Sequence, residues 1–570
     1  MSSERYAKWS LDRRRPFFQQ NKMFDRLQAV LGRQQMRAVR AGLVLCAAVL
    51  AGCDEPLQLS VDAQQATLDD GGSAAAGLIT GDKLPTGDEP ALLEKQIASF
   101  CGDCHALPRP ESFVKDAWYE GIRTGYEMYA RSGRQDLTPP RPVDVLRYYR
   151  ERAPAAISFP DPPPVDETWR ERFRIEKIDW KDKEYVKPGV ASIRWLPLMK
   201  PDQHALVVCD MRDGSVSLLD PTIAGTKRKV LARLQNPCRV DPCDIDADGF
   251  QDLLVADLGS FLPYDHQHGR VVLLRRDPNS AAFAEIVIAT AHGRVADVQA
   301  ADFSGQGQPD ILFAEFGHRQ RGGIHLITNM AEPNQSPRLL TRTLDTRPGA
   351  VQLPPHDWNN DGRLDVTAVI SQEYESVEIF LNRGERFERH TIWQGPDLSF
   401  GSVGLTLTDL DGDQDTDILY VNGDSFDNTF ANLSHGVQWL ENLGDMQFKY
   451  HRIANVPCAY RAVAHDMDAD GDKDIVLVVN MPWNVKPLSL RRSNPASILL
   501  LEQTQSASFV IHVLERGSPN YPALEVGDFN GDGAPDFVVG ALVFEETPQP
   551  LPPRLAIWWG KSPSFQQPLE

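Results

Sequence analysis

Asp466-Met-Asp468-Ala-Asp470-Gly471-Asp-Lys-Asp474, followed at once by Ile475-Val-Leu-Val478, is the stretch that decides the fold. Oxygen ligands at its positions 1, 3 and 5 can converge on a hard cation, and position 7 offers a backbone carbonyl. Glycine at position 6 allows the sharp turn, and the aspartate at position 9 closes the cage. An EF-hand closes at position 12 and is flanked by helices. Here position 9 runs straight into β-branched residues, so the pattern predicts a calcium loop between two adjacent strands.

The same phrase recurs along the chain. Asp244, Asp246, Asp248, Phe250 (through its carbonyl) and Asp252 precede Leu253-Leu-Val-Ala. Asp357, Asn359, Asp361, Arg363 (again through its carbonyl) and Asp365 precede Val366-Thr-Ala-Val. Asp409, Asp411, Asp413 and Asp417 form a third copy, with Gln414 in place of the glycine; Asp466, Asp468, Asp470 and Asp474 a fourth; Asp528, Asn530, Asp532 and Asp536 a fifth. A weaker copy, Asp302, Ser304, Gln306 and Asp310, has neutral side chains where charged ligands are needed. In chain order the six copies start 58, 55, 52, 57 and 62 residues apart. A period of this size, with strands and no helical pattern between, predicts propeller blades. A degenerate blade without carboxylates comes first, at Ser192-Ile-Arg-Trp195 and Ala205-Leu-Val-Val-Cys209. That makes seven. Leu555-Ala-Ile-Trp-Trp559 is expected to share a sheet with Phe173-Arg-Ile-Glu-Lys-Ile178, closing first onto last.

These loops, together with phrases such as Gly436-Val-Gln-Trp-Leu-Glu-Asn442, resemble the VCBS or FG-GAP repeat family over roughly residues 170 to 570. The resemblance implies a propeller like that of the integrin α-chain N-terminus, whose loops bind calcium. It says little of activity, because such repeats occur in adhesins and enzymes alike.

Ahead of the repeats stands Cys101-Gly-Asp-Cys104-His105. C-x-x-C-H places two thiols one helical turn apart, matching the two vinyl groups of haem, with a histidine beside them for the iron. A redox dithiol would not need the histidine, and a zinc site would need partners nearer than His204. Helices are predicted from Glu89-Pro90 into the motif, from Glu111 through Trp118 to about Ala130, and from Pro142 to Ala153-Pro154. Residues 89–155 resemble the small monohaem cytochrome c modules fused to such propellers. Met128, the only methionine between Arg37 and Leu198, is the favoured sixth ligand; a core methionine or a five-coordinate iron is the alternative.

Ala41 to Ala51 is apolar but too short for a permanent span, and Arg37 and Arg40 precede it. It ends in Leu50-Ala51-Gly52-Cys53, which looks like a lipobox, so residues 1–52 are expected to be a leader, with Met36 an alternative start. A lipidated Cys53 would begin the mature chain, and 53–88 would be a tether to a periplasmic or outer membrane surface. The fold class expected is thus mainly β: a seven-bladed calcium-loop propeller behind a small all-α cytochrome c-like domain and a lipoprotein signal peptide.

A net charge of −20 argues against nucleic-acid binding. Of four cysteines in the repeats (Cys209, Cys238, Cys243, Cys458), Cys238 and Cys243 are the one locally feasible pair. Candidate cleft residues come from two long loops: Tyr264, Asp265, His266 and His268, and Asp424, Asp427 and His435. His356 and His465, each just before a calcium-loop aspartate, are expected to be structural. Three functions fit: electron transfer with the propeller as docking platform; a haem-linked oxidoreductase or lyase acting on a sugar-like substrate; or surface adhesion. The implied partners are a redox protein or a small polar ligand, and the implied cofactors covalent haem c and calcium.

Overall fold

The computed structural model describes residues 89–561, apart from 104, 181–185, 201–202, 223–227, 281, 320, 330–337, 506 and 545–549. The expected leader, tether, Cys53 and Cys104 lie outside the described residues. Those described belong to one compact unit. Seven antiparallel sheets follow one another as blades, numbered 1 to 7 in chain order. Six have four strands. In blade 4 prolines 354 and 355 split the innermost strand into Ala350–Gln352 and Pro355–His356.

The apolar run after each aspartate loop becomes the second strand of its blade. Asp252–Asp257, Asp310–Glu315, Asp365–Ile370, Asp417–Asn422, Asp474–Val479 and Asp536–Gly540 are buried along their whole length. Such a strand is covered on both faces, so it reads as a continuous apolar run rather than an alternation. Its two faces serve different neighbours. Leu253 and Val255 pack with Val207 and Cys209 of blade 1, whereas Leu254 and Ala256 pack with Ile311 and Phe313 of blade 3. The core is thus a set of inter-blade layers rather than one central mass.

Blade 7 takes its outermost strand from the other end of the chain. Phe173–Ile178 pairs antiparallel with Leu555–Gly560, from Phe173 opposite Gly560 to Ile178 opposite Leu555. The expected closure is present. Around the central channel, side chains on innermost strands accept backbone N–H groups from the next blade. Glu525 accepts from Trp195 (3.0 Å), Asp241 from Ala300 (2.9 Å), Asp297 from Leu353 (2.8 Å) and Gln352 from Leu405 (2.8 Å). These bonds satisfy strand edges that face no sheet partner.

The N-terminal part is helical: α1 (Glu89–Cys101), α2 (Trp118–Ser132) and α3 (Pro142–Arg152). The predicted second helix starts later than expected, because Phe113 and Val114 are extended and only two 3-10 turns precede Trp118. Gly133 ends α2 in the left-handed conformation. The module's core is small: Ile97, Trp118, Val145, Tyr149 and Ala153, with Trp118 stacked on Tyr149 at 4.1 Å. The linker then runs along blade 6. Val165 bridges to Val513, and Asp166 caps the short helix Glu167–Arg170 while bonding His512 at 2.8 Å. The outer edge of that sheet is covered. Among the described residues no helix is long and apolar enough to cross a membrane.

Candidate functional site

All six aspartate loops adopt one backbone. The residues at positions 4 and 6 are both left-handed: Ala247 and Gly249, Gly305 and Gly307, Asn360 and Gly362, Gly412 and Gln414, Ala469 and Gly471, Gly531 and Gly533. The first aspartate accepts the N–H of position 6 in every copy, as at Gly249→Asp244 (2.9 Å), Gly362→Asp357 (2.8 Å) and Gly533→Asp528 (2.9 Å). Gln414 donates the same bond to Asp409 at 3.2 Å, so the missing glycine leaves the turn intact. In the Asp302 copy Gly307 bonds Asp302 at 2.7 Å, which shows that the turn forms without charged groups at positions 3 and 5.

Carboxylate oxygens of Asp244, Asp246 and Asp248, of Asp409, Asp411 and Asp417, and of Asp466, Asp468 and Asp474 lie within 4.8 Å of one another. Calcium–oxygen bonds of about 2.3–2.6 Å allow ligands up to about 5 Å apart, so these sets fit one calcium each. Asn359 and Asn530 offer neutral oxygens in the other two copies. The ninth aspartate has a second task. Asp474 accepts N–H groups from Met467 (3.0 Å) and Gln503 (2.9 Å), and Asp365, Asp417 and Asp536 are tied in the same way. Burial pushes Asp474 up to about 7, with the Asp468 charge adding to the shift.

In the helical module Cys101 closes α1, and burial pushes its thiol up to about 11. Like Leu93, Ile122 and Tyr126, it packs against the module's core. His105 places Nδ1 2.9 Å from the carbonyl of Ala106. A carbonyl only accepts, so Nδ1 carries the proton and Nε2 is the nitrogen with the lone pair. The module sits on the propeller face opposite the aspartate loops. Ser112 Oγ donates to Asp397 (2.8 Å), and Phe113 meets Phe430 edge-on at 5.4 Å. Met128 Sδ lies 3.9 Å from Arg319 Nη1, in the loop after the second strand of blade 3. Of the two expected iron ligands, Met128 thus meets the propeller.

Under this face lies a cavity of about 250 Å³ in the central channel. Arg239, Arg294, Arg461, Asp424, Asp427 and Tyr460 bring its charge and polarity, while Phe261, Phe426 and Phe544 supply apolar wall. Burial, then the neighbouring Asp427, pushes Asp424 up to about 7; burial brings Arg461 down to about 10. The arginines and Tyr460 escaped sequence reading. Their signal was a charged or polar residue inside, or just before, the strand leading to an aspartate loop, where an apolar one would be expected.

The family described as FG-GAP-like repeat matches residues 235–313, 357–420 and 466–539. These three stretches are FG-GAP-like repeats. They span blade 2, blades 4 and 6 without their innermost strands, and parts of blades 3, 5 and 7. A search of curated proteins finds no match. Two structures of virginiamycin B lyase from Staphylococcus aureus are similar to this chain. A catalytically inactive variant with quinupristin aligns at 11% identity and TM-score 0.39, covering 68% of this chain and 99% of that one. The selenomethionine form aligns at 10% and 0.40, covering 68% and 98%.

Within the propeller the expected cleft residues divide. Asp424 and Asp427 line the cavity. Tyr264, Asp265, His266, His268 and His435 do not. His266 Nε2 meets Ser260 Oγ (2.7 Å), its Nδ1 accepts from the His268 N–H (3.0 Å), and Tyr264 and His268 pack against its ring. Asp265 accepts the Arg319 N–H at 3.2 Å. His435 is buried and accepts N–H groups from Asn432 and Cys458, and burial drives it down to about 3. His356 packs on Trp358 at 4.6 Å, and His465 bonds the Asp466 carbonyl at 3.0 Å; both are structural. The Cys238–Cys243 pairing is excluded. Both lie in the single strand Pro237–Cys243, about 16 Å apart at the usual rise, and both thiols are free.

Proposed function

We propose that this chain is an exported, lipid-anchored c-type haem protein whose calcium-stabilised propeller is the binding platform for electron exchange at the haem module. The carrying observation is that the module holding Cys101, His105 and Met128 is docked on the propeller through Ser112 and Asp397, with Met128 Sδ 3.9 Å from Arg319 Nη1. The residues present fit the cofactor: a cysteine at the end of α1, a histidine whose Nδ1 is already bonded, and a module with few apolar residues of its own. Cys101 and Cys104 would hold haem through thioethers, with His105 and Met128 toward the iron. When bound, haem supplies one-electron exchange. The chain orients that exchange toward the channel mouth and keeps bulk water from one side of it.

A second reading is favoured by the cavity. Three arginines, two aspartates and a tyrosine in a site of about 250 Å³ suit a small, polar, sugar-like or anionic substrate. The protein would then oxidise or cleave that substrate, with haem as the built-in acceptor in the oxidative case.

One experiment tests both. The purified full-length protein is checked for covalent haem by mass and haem staining, then the oxidised form is mixed with sugars, uronic acids and alcohols while the reduced-haem band is followed. Covalent haem reduced only by a partner protein supports the carrier; direct reduction by a substrate supports the enzyme. A chain recovered from the periplasm without haem sinks both.

A further inference from the structure

We propose that His292, Glu315 and His325 form a binding site for one divalent transition-metal ion of the zinc class, separate from both the aspartate loops and the haem module. His292 ends the outermost strand of blade 2, Glu315 ends the second strand of blade 3, and His325 lies in the third. The connection between blades and the turn from Glu315 to Gly323 bring them together on the face that carries the helical module. His292 Nδ1 is 2.7 Å and His325 Nε2 3.2 Å from Glu315 Oε2, and one ligand atom from each of the three residues lies within 4.8 Å of the others. Tetrahedral zinc with bonds of about 2.0–2.1 Å holds its donors about 3.3 Å apart. The two histidine–carboxylate distances therefore need to open by only a few tenths of an ångström, most of it at the partly exposed His292.

The surroundings are those of a held ligand set. His325 Nδ1 meets Thr343 Oγ1 at 3.1 Å, which fixes the ring and leaves Nε2 for the ion. The Gly293 N–H donates to Glu315 Oε1 at 2.6 Å, and Phe313 stacks on the His325 ring at 4.8 Å. Space is reserved as well. A Cβ at Gly323 would come within 2.9 Å of His325 Nε2, and one at Gly293 within 3.0 Å of Glu315 Oε1. Blades 1 and 2 provide the contrast: their carboxylates at the end of the second strand, Asp210 and Asp257, pair with Arg554 and Arg270. In blade 3 two imidazoles stand in that role, and Arg321 Nε stays 3.9 Å away from Glu315. Two neutral nitrogens and one carboxylate, with solvent on the His292 side, are three protein ligands plus an open position.

The test is zinc titration by calorimetry on the tag-free, full-length protein after chelation, in excess calcium so that the aspartate loops are occupied. One zinc per chain is expected, abolished by His325→Ala and by His292→Ala. Thr343→Val, which keeps all three ligands, is expected to weaken binding about 10- to 100-fold. Circular dichroism of each variant checks folding, and the partly exposed His292 provides the variant least exposed to collapse. No zinc uptake by the parent, or the same stoichiometry in folded His292→Ala as in the parent, overturns the site.

Discussion

Ser112 and Asp397 are buried partners joined at 2.8 Å, one from the helical module and one from the connection between blades 4 and 5. Asp397 also accepts from the N–H and hydroxyl of Ser399, so the Ser112 bond completes a carboxylate that the propeller has otherwise already satisfied. Ser112→Ala should weaken docking of the module by about 1–3 kcal/mol and leave the propeller intact. Limited proteolysis of the linker should accelerate while the propeller core persists.

Two aspartates of one loop should answer differently to calcium. Asp474→Asn replaces one of two oxygens that accept backbone N–H groups, so about 1–3 kcal/mol should be lost with or without the ion. Asp468→Asn should lower the melting temperature in calcium and have little effect in chelator, because its contribution comes through the bound ion. Its 3.7 Å contact with Arg172 at the surface contributes little. Paired melts in calcium and chelator check this.

Gln414 carries a φ of 77°, a conformation that costs a side-chain-bearing residue about 1–2 kcal/mol. Gln414→Gly should therefore raise the stability of blade 5 by about 1 kcal/mol, less the extra freedom glycine gains when unfolded. Thermal unfolding in calcium is the measurement.

Stability should also depend on pH through Glu375. Burial raises its carboxyl from 4.5 to about 8, although Ser402 donates to it. The folded state holds the proton more tightly than the unfolded one, so this contribution is complete below about pH 4.5 and is lost as pH rises through about 8. Glu375→Gln, still able to accept the Ser402 N–H, should flatten that part of the profile and raise the melting temperature at pH 8.

For Met128 the expectation is spectroscopic. In the haem-loaded protein of the proposal, Met128→Ala should remove a low-spin, methionine-ligated spectrum and lower the reduction potential, with the covalent attachment kept. An unchanged spectrum would return Met128 to a packing role against Arg319.

The propeller was legible because its signal is local and repeated: each loop and its apolar strand lie within about fifteen residues, and the period recurs. The closing pair, Phe173–Ile178 with Leu555–Gly560, was legible only as a demand of the ring, since nothing in either strand names the other. The strained Ala247 and Ala469 were invisible, because alanine at position 4 gives no hint of a positive φ. Arg239, Arg294 and Arg461 look like ordinary surface charges until the strands are curled round a channel. The long loops misled for the converse reason: His266 and His435 lie in polar, turn-rich segments, but each gives its Nδ1 to backbone N–H groups and does not line the central cavity.

The borrowed strand of blade 7 sets an order of events. Phe173–Ile178 is made long before its partner Leu555–Gly560, so the ring cannot shut until all seven blades have been delivered. The helical module is complete long before that, while Asp397 and Phe430, which later hold it, are still to come. There is thus an interval in which Cys101 and His105 stand clear of the propeller, open to any machinery that must reach them. Closure ends that interval.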